Sequence, residues 1–277
     1  MDIVVTGGSG RLGRVLIRRL VKAGHQVRSL DWKAPEGFEE FGTQVVPTVI
    51  DLNDLAAVVE ALRGCDAVAH LAAYTGPSGP PPGVVYNSNT RSSYNILYAA
   101  SSLGIQKVSL ASSVNALGPI GSRTGEFEYL PIDEKHPTFN QDDYSLSKWV
   151  MEIQADSFAR RFPQMTISSL RIHAIPDEPP ELAGEYVNAE HPGARNLWGW
   201  TLIDEAARAF ELALQASYQG HEIFFIIANS TTSTIPSLDL ARYAYPNVPI
   251  RGDLSGHRSF FDCSKAARLL GWIHQDC

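Results

Sequence analysis

The chain has 277 residues, enough for one large domain or one domain with a smaller lobe. Hydrophobic residues make up 44 % and charged residues 19 %, an ordinary globular composition that excludes a disordered chain. The formal net charge of −7 argues against a general affinity for nucleic acid or an anionic membrane, because both need a basic surface.

Strand and helix signals then alternate along the chain. Residues 2–6 are short, apolar and β-branched, and a glycine-rich turn follows them. Leu12, Val15, Leu16 and Leu20 give helical periodicity over 11–23, ended by Gly24. Gln26 to Leu30 reads as a second strand ending at Asp31, and Val45 to Ile50 as a third ending at Asp51, with a helix over 54–63. Asp66 to Leu71 is the fourth strand, and a helix over 90–103 closes at Gly104. Lys107 to Ser112 is the fifth strand, and a long helix over 143–161 takes Asp142 or Asp143 as its cap. Thr166 to Arg171 is the sixth strand, followed by a helix over 204–216 and a strand over 222–228.

This rhythm predicts an α/β fold: a Rossmann-type, doubly wound parallel sheet with a small carboxy-terminal substrate lobe. The expected division is 1–171 for the dinucleotide-binding domain, with 201–228 returning to it, and 172–200 plus 229–277 for the lobe. Ligands on such sheets bind outside the carboxyl ends of the strands. Residues 74–88, 117–141 and 172–200 are rich in Pro and Gly or otherwise irregular, and all leave from those ends. Loops this long usually carry a function or are disordered, so they are expected to wall a pocket.

Cys65, Cys263 and Cys277 are far apart and odd in number, which predicts free or buried thiols in a reducing compartment. The histidines show no ligand spacing, so no metal is expected. A strand-like run opens the sequence without a signal-peptide pattern, and no apolar stretch approaches membrane-spanning length. A cytoplasmic protein that engages no membrane and no nucleic acid is expected.

The segment Thr6-Gly7-Gly8-Ser9-Gly10-Arg11-Leu12-Gly13 lies between the first strand and the first helix. Gly7 permits the tight turn, Gly10 lets backbone approach a pyrophosphate, and Gly13 lets the helix pack closely on the sheet. The helix N-terminus then aims free N–H groups at phosphate charge. Asp31, at the end of the second strand, suits the adenosine ribose hydroxyls and would repel a 2′-phosphate, which favours NAD over NADP. Arg11 and Lys33 are the residues able to pair with a 2′-phosphate instead. Asp51 and Leu52 are placed beside the adenine, Asp51 alternatively as a helix cap.

These pieces resemble the extended short-chain dehydrogenase/reductases, the family of NAD-dependent epimerases and dehydratases. The resemblance rests on TGGSGRLG at 6–13, Asp31, Asp51-Leu52, HLAA at 70–73 and Asn89 ahead of the helix. Further along it rests on Ser112-Ser113, YSLSK at 144–148 and DCSKAARLLGW at 262–272. It implies Ser113 as the catalytic hydroxyl, Tyr144 as acid/base, Lys148 as its helper and Asn89 near the cofactor in a proton relay. It also implies Leu71, Ala72, Ala73, Ile172 and His173 beside the dinucleotide, and Ser113, Val114, Asn115, Tyr144 and His173 beside a small-molecule substrate. A homodimer built on the helices near 90–103 and 143–161 is common in the family.

The chemistry can be argued from the residues themselves. Tyrosine has an ordinary pKa of about 10, too high for a good base at neutral pH. A lysine four residues later on a helix lies on the same face, and its charge favours the phenolate. Ser113 would orient the same substrate oxygen. Within the family, nucleotide-sugar dehydratases carry an Asp-Glu pair after the hydroxyl; here Val114-Asn115 stand there, which counts against dehydration. Nucleotide-sugar epimerases usually have a larger carboxy-terminal lobe, so a small free substrate is expected. The layout is most similar to uronate dehydrogenases, yet no arginine appears after the sixth strand before Arg195. A neutral sugar, polyol or hydroxy-ketone is therefore as compatible as a sugar acid. The expected activity is NAD-dependent hydride transfer, with an epimerase retaining NAD as the alternative. His173, Trp198 and Trp200 are open between site and structural roles, and Arg251 and Arg258 are expected on solvated surface.

Overall fold

The computed structural model describes residues 1–33, 37–75, 80–118 and 125–275. Cys277 and parts of the irregular stretches 74–88 and 117–141 lie outside the described residues.

Seven strands form a single sheet: β1 (Asp2–Thr6), β2 (Gln26–Asp31), β3 (Val45–Val49), β4 (Ala67–His70), β5 (Lys107–Ser113), β6 (Thr166–Ile172) and β7 (Gly220–Ile226). Their order is β3-β2-β1-β4-β5-β6-β7, and every neighbouring pair is parallel. This is the α/β Rossmann-type architecture that the alternating sequence signals predict. Parallel strands covered on both faces need apolar side chains on both, and β1 shows the alternation directly. Ile3 and Val5 join the core under α1 (Arg11–Lys22) and α6 (Ile203–Gln215). Val4 joins the opposite core under α2 (Leu55–Ala61), α3 (Pro82–Ser102) and α4 (Asp143–Arg161). Each Leu or Ile so buried is worth about 1.5–3 kcal/mol.

Helix ends follow local chemistry. Asp54 caps α2 by accepting from Ala56 N and Ala57 N. Asp142, rather than Asp143, caps α4 by accepting from Ser145 N at 2.9 Å. The sequence places the start of α3 near residue 90, but the helix begins at Pro82, inside the stretch expected to be irregular. Proline is compatible with a first helical turn, where its missing N–H would have had no partner. Asn89 therefore lies within α3 and not ahead of it.

The remaining elements are α5 (Pro192–Arg195), α7 (Ser237–Ala244) and α8 (Ser264–Leu270). Around α5 and α7, Leu130, Ile132, Trp198, Leu240, Tyr245 and Phe260 build a third core. Backbone hydrogen bonds order the irregular segments: Leu130 N donates to Pro249 O, Ile132 N to Phe260 O, and Ala183 N to Thr232 O. Ala266, Leu270 and Trp272 belong to the stretch expected in the lobe, yet they pack in the core of α1 and α6. Their apolar side chains complete the sheet's cover rather than a separate lobe.

Candidate active site

A cleft of about 640 Å³ opens at the carboxyl ends of β1 to β6. Its wall begins at the turn after β1. Gly7 has φ +69°, and a Cβ there would stand 2.8 Å from Ala72 N, so only glycine fits. A Cβ on Gly13 would stand 2.3 Å from Gly7 O, which lets α1 close directly onto the turn. Gly10 caps α1 with no side-chain hydrogen bond, and the first turn of the helix carries no acid. The orphan N–H groups of that turn are thus left for an anion. Asp31 accepts from Ser9 N at 3.0 Å and from Trp32 N at 2.8 Å, fixing a carboxylate beside the glycine turn. An uncapped helix start, a cradle that a Cβ would fill and a fixed acid at the end of β2 fit a dinucleotide.

Every residue expected to touch the cofactor lines this cleft: Gly7, Gly10, Arg11, Leu12, Gly13, Asp31, Asp51, Leu52, Leu71, Ala72, Ala73, Tyr144, Lys148, Ile172 and His173. Asp51 is exposed and accepts from the backbone and side-chain nitrogens of Asn53; Asp54, not Asp51, is the helix cap. Arg11 pairs with Asp177 at 3.0 Å and donates to Ile175 O, so its guanidinium bridges to the loop after β6.

At the other end of the cleft, Ser113, Tyr144, Lys148 and Asn89 come together. Burial pushes the Tyr144 phenol up to about 12, and a hydrogen bond from the Ser113 hydroxyl pulls it back. Lys148 is 5 % exposed; burial draws it down to about 8, opposed by Glu152. Its ammonium donates to Ala111 O at 2.7 Å and lies 5.6 Å from the centre of the Tyr144 ring. At neutral pH the pair is therefore a phenol beside an ammonium. Asn89 Oδ1 accepts from Tyr74 N at 2.9 Å, and its Nδ2 donates to Tyr74 O and Ser147 Oγ, clamping the chain after β4 onto α4.

Two of the expected substrate contacts lie elsewhere. Val114 is buried in the third core, and Asn115 uses its backbone N–H on Ser113 Oγ; neither lines the cleft. His173 does line it, with both ring nitrogens engaged by backbone. Nδ1 accepts from Ala174 N at 2.7 Å, so Nε2 donates to Asn196 O at 3.0 Å. Burial draws His173 down to about 4 and His70 to about 3, so both are neutral near pH 7. Trp198 packs in the third core and Trp200 donates to Ser230 O. Leu197 and Trp198 have φ of 50° and 48°, a left-handed pair that holds this turn against His173. Sequence reading missed Trp32, 69 % exposed in the cleft wall, and Tyr74, Ser88 and Ser92; none carries a pattern that marks it. Among the described residues, no group of three His, Cys, Asp or Glu side chains gathers for a metal, and no helix is long and apolar enough to cross a membrane.

Fold and cleft together define a dinucleotide-binding protein of the Rossmann type. Residues 3–176 match the model of the NAD dependent epimerase/dehydratase family, and the chain is an enzyme of that family. Among curated relatives, a Synechocystis protein provisionally named a dihydroflavonol 4-reductase is 28 % identical over 312 residues, covering 96 % of this chain and 88 % of that protein. The UDP-glucose 4-epimerase of Corynebacterium glutamicum is 27 % identical over 195 residues, 68 % of this chain and 53 % of that enzyme. Among solved structures, a mutated uronate dehydrogenase superposes with TM-score 0.71 at 22 % identity, over 99 % of this chain and 82 % of that one. The UDP-glucose 4-epimerase of Thermotoga maritima, solved with UDP-glucose, gives TM-score 0.71 at 20 % identity, over 99 % and 94 %.

Proposed function

We propose that this enzyme is an NAD-dependent oxidoreductase that moves a hydride between nicotinamide and a secondary alcohol or carbonyl carbon of a small sugar-like substrate, with Tyr144 as acid/base. The observation that carries the reading is the Ser113–Tyr144–Lys148 cluster in the wall of the cleft. The cofactor supplies hydride acceptance and donation when bound. The chain does the rest. The α1 N-terminus and Gly7, Gly10 and Gly13 would hold the pyrophosphate, with Arg11 and Leu12 beside it. Asp31 would hold the adenosine ribose, which supports NAD over NADP. Ser113 orients the substrate oxygen, and Tyr144 takes or returns its proton. Lys148, 5.6 Å from the Tyr144 ring centre, would supply positive charge toward the phenolate against the burial that raises it. Residues 172–200 and part of 229–277 are proposed as the substrate side of the cleft, and a homodimer through α3 and α4 as the assembly.

A second reading, a sugar epimerase that keeps its cofactor, is supported by the epimerase relatives. One measurement separates them: nicotinamide absorbance with NAD and NADP supplied separately, across sugars, sugar acids, polyols and nucleotide sugars. Net reduction of NAD with one substrate class is the expected result. Sugar interconversion with no change in absorbance would replace the oxidoreductase by the epimerase.

A further inference from the structure

Behind the cleft, one carboxylate is shared among three elements. Glu152 lies on α4, one turn beyond Lys148, and is 2 % exposed. Its Oε1 accepts from Ser112 Oγ at 2.6 Å and from Arg171 Nε at 2.9 Å, and its Oε2 accepts from Arg171 Nη2 at 2.8 Å. Ser112 and Arg171 stand opposite each other in the β5–β6 register. Each immediately precedes a residue of the cleft wall, Ser113 on β5 and Ile172 on β6. The Arg171 guanidinium sits 5.5 Å from the Phe225 ring centre, and its Nη1 has no hydrogen-bond partner among the described residues. A buried ion pair is a poor stabiliser, because desolvating both charges offsets most of their attraction. Its value here lies in what it joins.

We infer that Glu152 is a positioning residue for the Ser113–Tyr144–Lys148 set: its carboxylate, one turn beyond Lys148, ties α4 to the ends of β5 and β6. This rests on the catalytic reading of that set given above. Among the described residues, the titratable groups facing Lys148 are Tyr144 and Glu152 on its own helix and His70 on β4, with Arg171 on β6 paired to the same Glu152 carboxylate and Ala111 O accepting from Lys148 on β5. His70 is neutral and Tyr144 is a phenol at pH 7, so Glu152 is the negative charge that opposes the burial of Lys148.

Lys148 can be followed without turnover. The chain has six lysines, so isotopic labelling of the lysine ε carbons gives a small set of NMR signals, and Lys148→Met identifies the relevant one. In Glu152→Gln the Lys148 titration midpoint is expected to fall by roughly one pH unit or more, with the other lysines unmoved. Glu152→Asp keeps the charge on a shorter arm and should retain most of the midpoint. An unmoved Lys148 signal in Glu152→Gln, with only a lower Tm, makes the pair structural and overturns the inference. If Glu152→Gln does not fold, the double variant Glu152→Met/Arg171→Met replaces the ion pair by apolar packing, a change that such pairs tolerate. A midpoint lower there than in Arg171→Met alone supports the inference, and an equal one overturns it. Because this readout needs no substrate, failure of the nicotinamide assay would count against the oxidoreductase reading and leave the Lys148 result standing.

Discussion

Two serine-centred hydrogen-bond clusters sit on this sheet. At the end of β5, Ser113 meets Tyr144, with Lys148 one turn further along α4. On β6, Ser169 Oγ meets His221 Nε2 at 2.8 Å, and His221 Nδ1 meets Asp156 at 2.7 Å. By residue type the second cluster has the better-known chemistry, a serine, a histidine and an acid in line. It has no access: Ser169 is 0 % exposed, lies inside the strand and lines no described cavity. The first cluster has the less usual acid/base residue, but it opens onto the cleft that the glycine turn after β1 also lines. The contrast teaches that position relative to the strand ends, more than side-chain identity, separates a candidate site from a structural network on a parallel sheet.

Mutations can break or sharpen that contrast. The largest effect is expected for Tyr144→Phe: turnover lower by about 10³-fold or more with NAD binding nearly intact, measured by absorbance and by calorimetry. Wild-type-like turnover in that variant would sink the mechanism. Lys148→Met should lower turnover by about 10²-fold and yet raise the Tm at pH 7 by about 2 °C or more. The sign follows from its pKa, which burial draws from 10.5 down to about 8. A lysine depressed in the folded state costs stability while charged, and the cost is relieved as pH rises from about 8 towards 10.5. A Tm that falls in Lys148→Met would contradict this. Asp31→Ala is expected to shift the ratio of NAD to NADP use by about tenfold towards NADP, from the loss of charge-assisted hydrogen bonds to the ribose. An unchanged ratio would remove Asp31 from cofactor choice. The smallest effect on activity is expected for His221→Ala, with turnover within about twofold and stability lower by roughly 1–3 kcal/mol. The hydrogen bond from His221 holds the Asp156 carboxyl below its usual range, so the stability it adds is lost as pH falls through that depressed value. The stability gap between the parent and His221→Ala should accordingly narrow as pH falls through the range in which Asp156 takes up its proton; a gap that stays constant would remove Asp156 from that stabilisation. A large loss of turnover would tie the second cluster to the first.

Much of the fold was legible because its causes are local. The alternation of strand and helix, the glycine turn at 6–13, Asp31 and an α4 cap at Asp142 or Asp143 are each written within a few neighbouring residues, where backbone sterics and hydrogen bonding act directly. The order of TGGSGRLG, Ser113 and Tyr144 to Lys148 along the chain likewise placed them at strand ends or on the helices that follow, and the sheet brings them to one cleft. What the tertiary structure alone decided depends on partners far apart in the chain. The start of α3 turned on a proline that reads as a breaker. The backbone partners of His173 at Asn196, the pairing of Arg11 with Asp177, and the convergence of Glu152, Ser112 and Arg171 leave no period and no motif. Such pairings form only when the sheet's register and the helices' packing fix which side chains share a buried space.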